Sequence, residues 1–200
     1  MSLAKSCLVV ARAALVALAL FPVAASAQDA AAPTGVKAEM MMWIKDAEAK
    51  LIDLAQATPE NKYAWRPGKG VRTTGEVFMH VAAANYGIPT FIGVAAPQGF
   101  DFMSYEKSLT KKADIEKALK DSFAHMEKAL TNATDADMEK PAEFFGLKTT
   151  VRGAYMLLLS HAHEHLGQSI AYARSNGIVP PWTARQEEAA AKAKAAKGGN

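Results

Sequence analysis

The sequence has a single cysteine, Cys7, among its 200 residues. One thiol cannot form an intramolecular disulfide, and a chain with one cysteine cannot build a zinc site from several thiolates. The chain also lacks a strong charge of one sign, with 23 Lys and Arg against 20 Asp and Glu. Aromatic residues make up only 8%, and none alternate with a basic stripe. These absences predict that the protein does not bind nucleic acid.

The N-terminus has the pattern of a secretory signal peptide. Lys5 and Arg12 precede an apolar run at residues 13 to 24, and the small residues 25 to 27 have the A-x-A form of a cleavage site. We predict a signal peptide over residues 1–27 that is cleaved after Ala27, with an uncleaved membrane anchor as the alternative. Cleavage would remove the only cysteine and leave a net charge of about +1. The expected location is periplasmic or secreted, without stable membrane insertion after processing.

The rest of the chain has the 3.6-residue periodicity of amphipathic helices and no convincing alternating strand. A capping box, Thr73 with Glu76, precedes the second helix, and Gly177 is well placed to end the fourth. We therefore predict an all-α fold, a four-helix bundle within residues 28–182. The predicted helices span residues 36 to 57, 74 to 88 (or on to 94), 110 to 131 and 150 to 176. Their predicted inward stripes include Trp43 in the first helix and His80 in the second. The Ala/Lys-rich tail, residues 183–200, is expected to be disordered or a frayed helix.

Three histidines are candidates for a metal site. His161 and His165 lie four residues apart on one face of the fourth helix, a spacing at which two imidazoles can chelate one ion. His80 occupies an apolar stripe, where an unpartnered ring is costly. If the second and fourth helices face each other, the three rings form a three-histidine site with an open position for water or substrate. The alternative is a set of buried histidines satisfied by hydrogen bonds.

Zn²⁺ and Ni²⁺ both suit imidazole ligands. His163 points away from the pair, and we expect His125 to be a packing or surface residue. Glu164 and Gln168 are candidate catalytic or ligand-orienting residues, with a solvated helix face or a bond across the bundle as the alternatives. Three loop residues could cover the site or simply pack the bundle ends: Trp65, Arg66 and Trp182.

The segments RTTGEVFMHVAAANY (residues 72 to 86) and HAHEHLGQSIAYARSNGIVPP (residues 161 to 181) resemble the DinB-like superfamily. The resemblance covers residues 37 to 182 and implies an up-down-down-up bundle that binds a divalent metal. It maps the family's three histidine ligands onto His80, His161 and His165. Some relatives are thiol transferases that conjugate bacillithiol, mycothiol or glutathione to electrophiles.

Two features depart from the commoner family pattern. Leu166 replaces the arginine of H-R-G-Q, and the predicted export separates this chain from cytoplasmic thiols. The expected function is an exported, metal-dependent transferase of the thiol-transferase type. A metal-dependent hydrolase and a non-catalytic metal- or ligand-binding bundle are the alternatives. The expected partner is a small molecule, and a homodimer stays open.

Overall fold

The computed structural model describes residues 34–198, so the expected signal peptide lies outside the described residues. Four long helices form the bundle: α1 (Val36–Ala57), α2 (Thr74–Gly87), α4 (Lys112–Asn132) and α6 (Val151–Ser175). The remaining elements are α3 (Phe102–Tyr105), α5 (Asp135–Met138), the hairpin strands β1 (Pro141–Phe144) and β2 (Leu147–Thr150), and α7 (Pro181–Gly198). Two 3₁₀ turns cover Glu60–Lys62 and Ile88–Ile92. The four predicted long helices are thus confirmed within one or two residues at each end.

Local chemistry sets the helix ends. The predicted capping box is present, since the Glu76 amide donates to the Thr73 hydroxyl and the Thr73 amide donates to the Glu76 carboxylate. Thr150 caps α6 through the Gly153 amide. At the other end of α6, Gly177 has φ 72°, the left-handed conformation that glycine adopts without strain.

The ends of α1 and α4 show that these two helices are antiparallel. Lys37, at the start of α1, donates to the carbonyl of Ala133 just past the end of α4 (2.8 Å). Lys112, at the start of α4, donates to the carbonyl of Thr58 just past the end of α1 (2.8 Å). Each lysine thereby satisfies a carbonyl group at the C-terminus of the neighbouring helix.

The helix α2 runs in the same direction as α4. Near their starts, Gly75 packs so closely on Ile115 that a Cβ would lie 3.1 Å from the isoleucine side chain. Further along both helices, the Asn85 amide donates to the Ser122 hydroxyl (3.2 Å). A parallel pair requires a long connection, and the loop from residue 88 to residue 111 provides it.

The helix α6 runs opposite to α2. Tyr172, near the end of α6, hydrogen-bonds the carbonyl of Arg72, which precedes α2 (3.2 Å). His161, about three turns earlier in α6, meets His80 further along α2. The four helices are therefore ordered up, down, down, up, which agrees with the topology that the resemblance implies.

The core lies between the four helices. Five apolar residues, spaced three or four apart along α4, are buried: Ile115, Leu119, Phe123, Met126 and Leu130. The helix α2 is buried on nearly every side, and only Glu76 and His80 within it are half-buried. Trp43, predicted to face inward, is 51% exposed, so this prediction is wrong. It sits at the edge of the stripe and packs edge-on against His163 with centroids 6.5 Å apart.

The expectation of no strand is also wrong, because β1 and β2 form a short antiparallel hairpin. The two-residue turn uses Phe145 (φ 51°) and Gly146 (φ 78°), both in the left-handed region. Such turns favour Asn or Asp with Gly. Phe145 is the only non-glycine residue with positive φ in the described chain, and its side chain carries no turn signal.

The tail is helical and forms α7. This helix begins at Pro181, and proline is well suited to the first helical position. The residues of α7 from position 184 onward are exposed wherever their burial is described, up to residue 197. Its Arg185 pairs with Asp53 of α1 (2.8 Å). Within residues 34–198, no helix combines the length and the apolarity needed to cross a membrane.

Candidate metal centre

The three predicted ligands converge between α2 and α6. Because α2 and α6 are adjacent and antiparallel, His80 faces the turn of α6 that carries His161 and His165. One nitrogen atom from each ring lies within 4.8 Å of those from the other two. The Nε2 atoms of His80 and His161 are 3.1 Å apart. Three rings on two rigid helices can hold one metal ion.

A hydrogen bond on the far nitrogen orients His80. Its Nδ1 lies 2.8 Å from a carboxylate oxygen of Glu106. A carboxylate only accepts, so Nδ1 carries the proton and Nε2 presents its lone pair to the other rings. Glu106 is held in turn by the Arg72 Nε (2.8 Å). Paired carboxylates of this kind fix the tautomer of metal-binding histidines.

His165 is oriented by residues of its own helix. Its Nδ1 donates to the amide oxygen of Gln168 (2.8 Å), so its Nε2 is also free. The Gln168 amide nitrogen donates to the Tyr172 hydroxyl (3.0 Å), which donates to the Arg72 carbonyl (3.2 Å). This chain of hydrogen bonds begins at His165 and ends at Arg72, whose side chain also holds Glu106. Gln168 therefore positions a histidine.

Burial and neighbouring cations keep two of the rings neutral. Burial, together with charge on His165, His80 and Arg72, lowers the pKa of His161 to about 3. Burial, Arg72 and His165 also lower the pKa of His80, although Glu106 opposes them. Burial raises the pKa of Glu106, but Arg72 and His80 outweigh it and the net direction is downward. The site thus has neutral imidazoles beside an ionised carboxylate, the protonation state that metal binding needs.

The His161 ring tests whether an ion fits. Its Nδ1 is buried and has no hydrogen-bond partner among the described residues. If the proton is on Nδ1, the Nε2 lone pairs of His161 and His80 face each other at 3.1 Å, and a cation between them removes that repulsion. Tetrahedral bonds of about 2.0–2.1 Å place ligand nitrogens roughly 3.3 Å apart. The spacing of this pair is close to that value, and the third ring offers a nitrogen within 4.8 Å of both, so the residues present suit a divalent ion.

The other predicted residues lie outside the cluster. His163 donates through Nδ1 to the Leu159 carbonyl, and His125 packs against Tyr86, with ring centroids 5.1 Å apart. Glu164 is exposed on α6. A catalytic role for it stays a prediction.

The loop residues that were candidates to cover the site, Trp65, Arg66 and Trp182, pack near the start of α2 or the end of α6. Trp65 packs edge-on against Tyr172 at 5.3 Å. Arg66 approaches Glu76 at 3.5 Å. Trp182 packs, partly buried, against the core.

Sequence reasoning missed Glu106 and Arg72. Glu106 follows the short helix α3, 26 residues after His80, and no periodicity relates the two positions. Only the fold of the loop after α2 brings them together. The sequence carried no signal that could have singled out Glu106, because acidic residues in irregular loops are common.

A polar cavity of about 520 Å³ opens beside the cluster. Glu106 and Gln168 line it, and each of them hydrogen-bonds one of the three histidines. Arg66, Arg72 and Lys107 provide positive charge on its walls. The three histidines do not line this cavity, so it lies behind the centre, on the side of the residues that hydrogen-bond the Nδ1 atoms of His80 and His165.

Three solved structures share this fold. A DinB-like protein from Bacillus cereus ATCC 10987 has a TM-score of 0.63 and 19% identity, over 71% of this chain and 93% of its own. A DinB-like protein from Bacillus subtilis (YjoA) has a TM-score of 0.57 and 17% identity, over 70% of this chain and 93% of its own. YfiT from Bacillus subtilis, described as a probable metal-dependent hydrolase with an unusual four-helix bundle topology, has a TM-score of 0.58 and 15% identity, over 72% and 89%.

No curated protein matches the chain. The profile of the DinB superfamily matches residues 44–169. That stretch covers more than half of the chain and includes all three histidines. The family resemblance of the two histidine-bearing segments is confirmed. This chain belongs to the DinB superfamily.

Proposed function

We propose that this protein is a metal-dependent enzyme of the hydrolase type, with one divalent ion, Zn²⁺ or Ni²⁺, held by His80, His161 and His165. The observation that carries the proposal is the convergence of three imidazole nitrogens within 4.8 Å. The description of YfiT as a probable metal-dependent hydrolase supports the reaction class. An ion at this position supplies Lewis acidity, which lowers the pKa of a water or thiol bound at the open position.

The chain's own residues prepare the centre. Glu106 holds the Nδ1 proton of His80 and adds negative charge behind that ring. Gln168 does the same for His165 without charge. Arg72 fixes Glu106 and lies on the wall of the polar cavity. These residues position the ligands.

Metal content tests the three-histidine centre. Elemental analysis by plasma mass spectrometry should find one Zn²⁺ or Ni²⁺ per chain in the purified wild type. The variants His80→Ala, His161→Ala and His165→Ala should each lose this ion. His163→Ala is the matched control, because His163 is on the same helix but bonds the Leu159 carbonyl. Metal loss in His163→Ala equal to that in His161→Ala, or full retention in His80→Ala, would show that the centre is wrong.

Thiol transfer is the second candidate, supported by the resemblance of the two histidine-bearing segments to the DinB-like superfamily, some of whose members are thiol transferases. Residues 28–200 contain no cysteine, so a transferred thiol has to come from a free small molecule. Metal-loaded protein should be assayed with nitrophenyl esters and amides, and separately with glutathione and chlorodinitrobenzene. Turnover that disappears in His165→Ala assigns the reaction. A loaded protein that is silent in both assays contradicts both enzyme proposals and supports a binding function.

We also propose that the chain is exported to the periplasm or secreted. The support is Lys5 and Arg12, the apolar run after them and the small residues 25 to 27. Mass spectrometry of protein from the cell envelope should find Gln28 as the N-terminal residue. Recovery of full-length protein from the cytosol would contradict export.

A further inference from the structure

A second cavity, of about 410 Å³, lies between the end of α4 and the start of α6. Apolar side chains form much of its wall, among them Ile92, Val94 and Val151. It shares no lining residue with the polar cavity beside the histidine cluster. The two cavities therefore offer separate binding environments.

Tyr155 is the informative residue of this cavity. Its side chain is only 1% exposed, yet it lines the cavity. Its hydroxyl makes no hydrogen bond within residues 34–198 and keeps a small accessible area. Burial raises the pKa of Tyr155 to about 12, so the hydroxyl keeps its proton and is a donor. A hydroxyl group without a protein partner is available to donate a hydrogen bond to a ligand in the cavity.

His125, a residue of α4, lines the same cavity and also has an unpaired polar atom. His125 Nε2 is buried and has no partner among the described residues. Its ring packs edge-on against Tyr86 with centroids 5.1 Å apart, which fixes the orientation. Two separate helices, α4 and α6, thus each bring one unsatisfied polar group to this cavity.

The charge on the cavity wall is positive. Lys140 pairs with Asp137 (2.6 Å) and is thereby neutralised. Lys128 lines the cavity, and the structure records no carboxylate within 4 Å of it over residues 34–198. An apolar wall, two unsatisfied polar groups and a free ammonium group together favour a ligand with an apolar body and one negative charge.

We infer that this cavity binds a small apolar monocarboxylate, with Tyr155 donating a hydrogen bond to the carboxylate and Lys128 pairing with its charge. The ring or alkyl chain of the ligand lies against Ile92 and Val151. The site is independent of the metal centre, so it is expected to work whether or not an ion is bound there.

Calorimetric titration with phenylacetate tests this site. Phenethylamine and phenethyl alcohol have a similar shape but lack the negative charge, and both should bind more weakly than phenylacetate. Lys128→Gln should weaken phenylacetate binding by about fivefold. Lys120→Gln, an exposed lysine of the same helix outside the cavity, is the matched control and should leave the affinity unchanged. Tyr155→Phe should weaken binding by about threefold.

One variant separates this site from the metal centre. A carboxylate can also bind a metal ion, so phenylacetate could bind at the metal centre instead. If it binds in the second cavity, His161→Ala, which lacks a metal ligand, should keep the affinity of wild type for phenylacetate. Loss of binding in His161→Ala, equal binding of the amine and the carboxylate, or equal affinities of Lys128→Gln and Lys120→Gln would each overturn the inference. Both lysine variants are surface changes that should leave folding intact, and melting temperatures check this.

Discussion

The two halves of α6 place their polar groups in opposite situations. In the second half, the Nδ1 of His165, Gln168 and the Tyr172 hydroxyl form a continuous chain of hydrogen bonds that ends on Arg72. In the first half, the Tyr155 hydroxyl lies in a cavity without a partner in the described chain. The helix α6 therefore contributes to a centre in which the His80 and His165 rings are oriented in advance, and it also lines a cavity whose polar groups lack partners in the described chain.

The difference has a physical cause. A metal ion needs several donors held at fixed distances, and the hydrogen bonds behind the rings supply that order at little cost on binding. A small organic ligand brings its own acceptors, so the groups that meet it stay unsatisfied until it arrives. Changes behind the histidines should affect metal affinity most, whereas changes at Tyr155 should affect the affinity of an organic ligand.

The largest expected effect is on metal affinity in Glu106→Gln. The variant removes the charge that holds the Nδ1 proton of His80 and the partner of Arg72. Affinity for Zn²⁺, measured by competition with a chromogenic chelator, should fall about tenfold or more. Glu143→Gln, an exposed change on the hairpin, is the control. Equal affinities in the two variants would show that Glu106 is not a positioning residue.

The next effect is the acid sensitivity of the metal-depleted protein. Burial lowers the pKa of His161 to about 3 in the folded state, below its ordinary value of about 6.5. Between these values the unfolded chain binds the extra proton, so stability is present above that range and is lost as the pH falls through it. The melting temperature of chelator-treated wild type should therefore drop between pH 7 and pH 5.

His161→Gln should reduce that drop by a few degrees, about 5 °C at most. His163→Gln is the control on the same helix and should preserve the pH dependence of wild type. Identical pH dependence in wild type and His161→Gln would contradict the assignment of a buried, neutral His161.

The smallest expected effect is the difference in melting temperature between the Tyr→Phe variants of the two tyrosines of α6, Tyr155 and Tyr172. Tyr172→Phe breaks bonds to Gln168 and to the Arg72 carbonyl, and should lower the melting temperature by about 3 °C. Tyr155→Phe removes a hydroxyl without a partner in the described chain, so the melting temperature should stay the same or rise slightly. A larger loss in Tyr155→Phe than in Tyr172→Phe would reverse the comparison between the two halves of α6.

Much of the fold follows from local sequence. The capping box of Thr73 and Glu76, the glycine after α6 and the stripes of α1 and α4 were all readable, because caps and periodicity act over a few residues. The hairpin was not readable, since Phe145 occupies a turn position that usually carries Asn, Asp or Gly. Trp43 fits the apolar spacing but lies at the edge of the buried stripe, and only packing determines that edge.

The sequence by itself determined the helices, the chelating pair His161 and His165, and the apolar stripe that carries His80. Tertiary structure alone decided that α2 and α6 lie side by side and that Glu106 and Arg72 meet behind His80. It also decided that Tyr155 and His125 line one cavity. The physical reason is range: helix periodicity is a property of neighbouring residues, whereas contacts between residues 26 to 100 positions apart depend on how the loops return the chain.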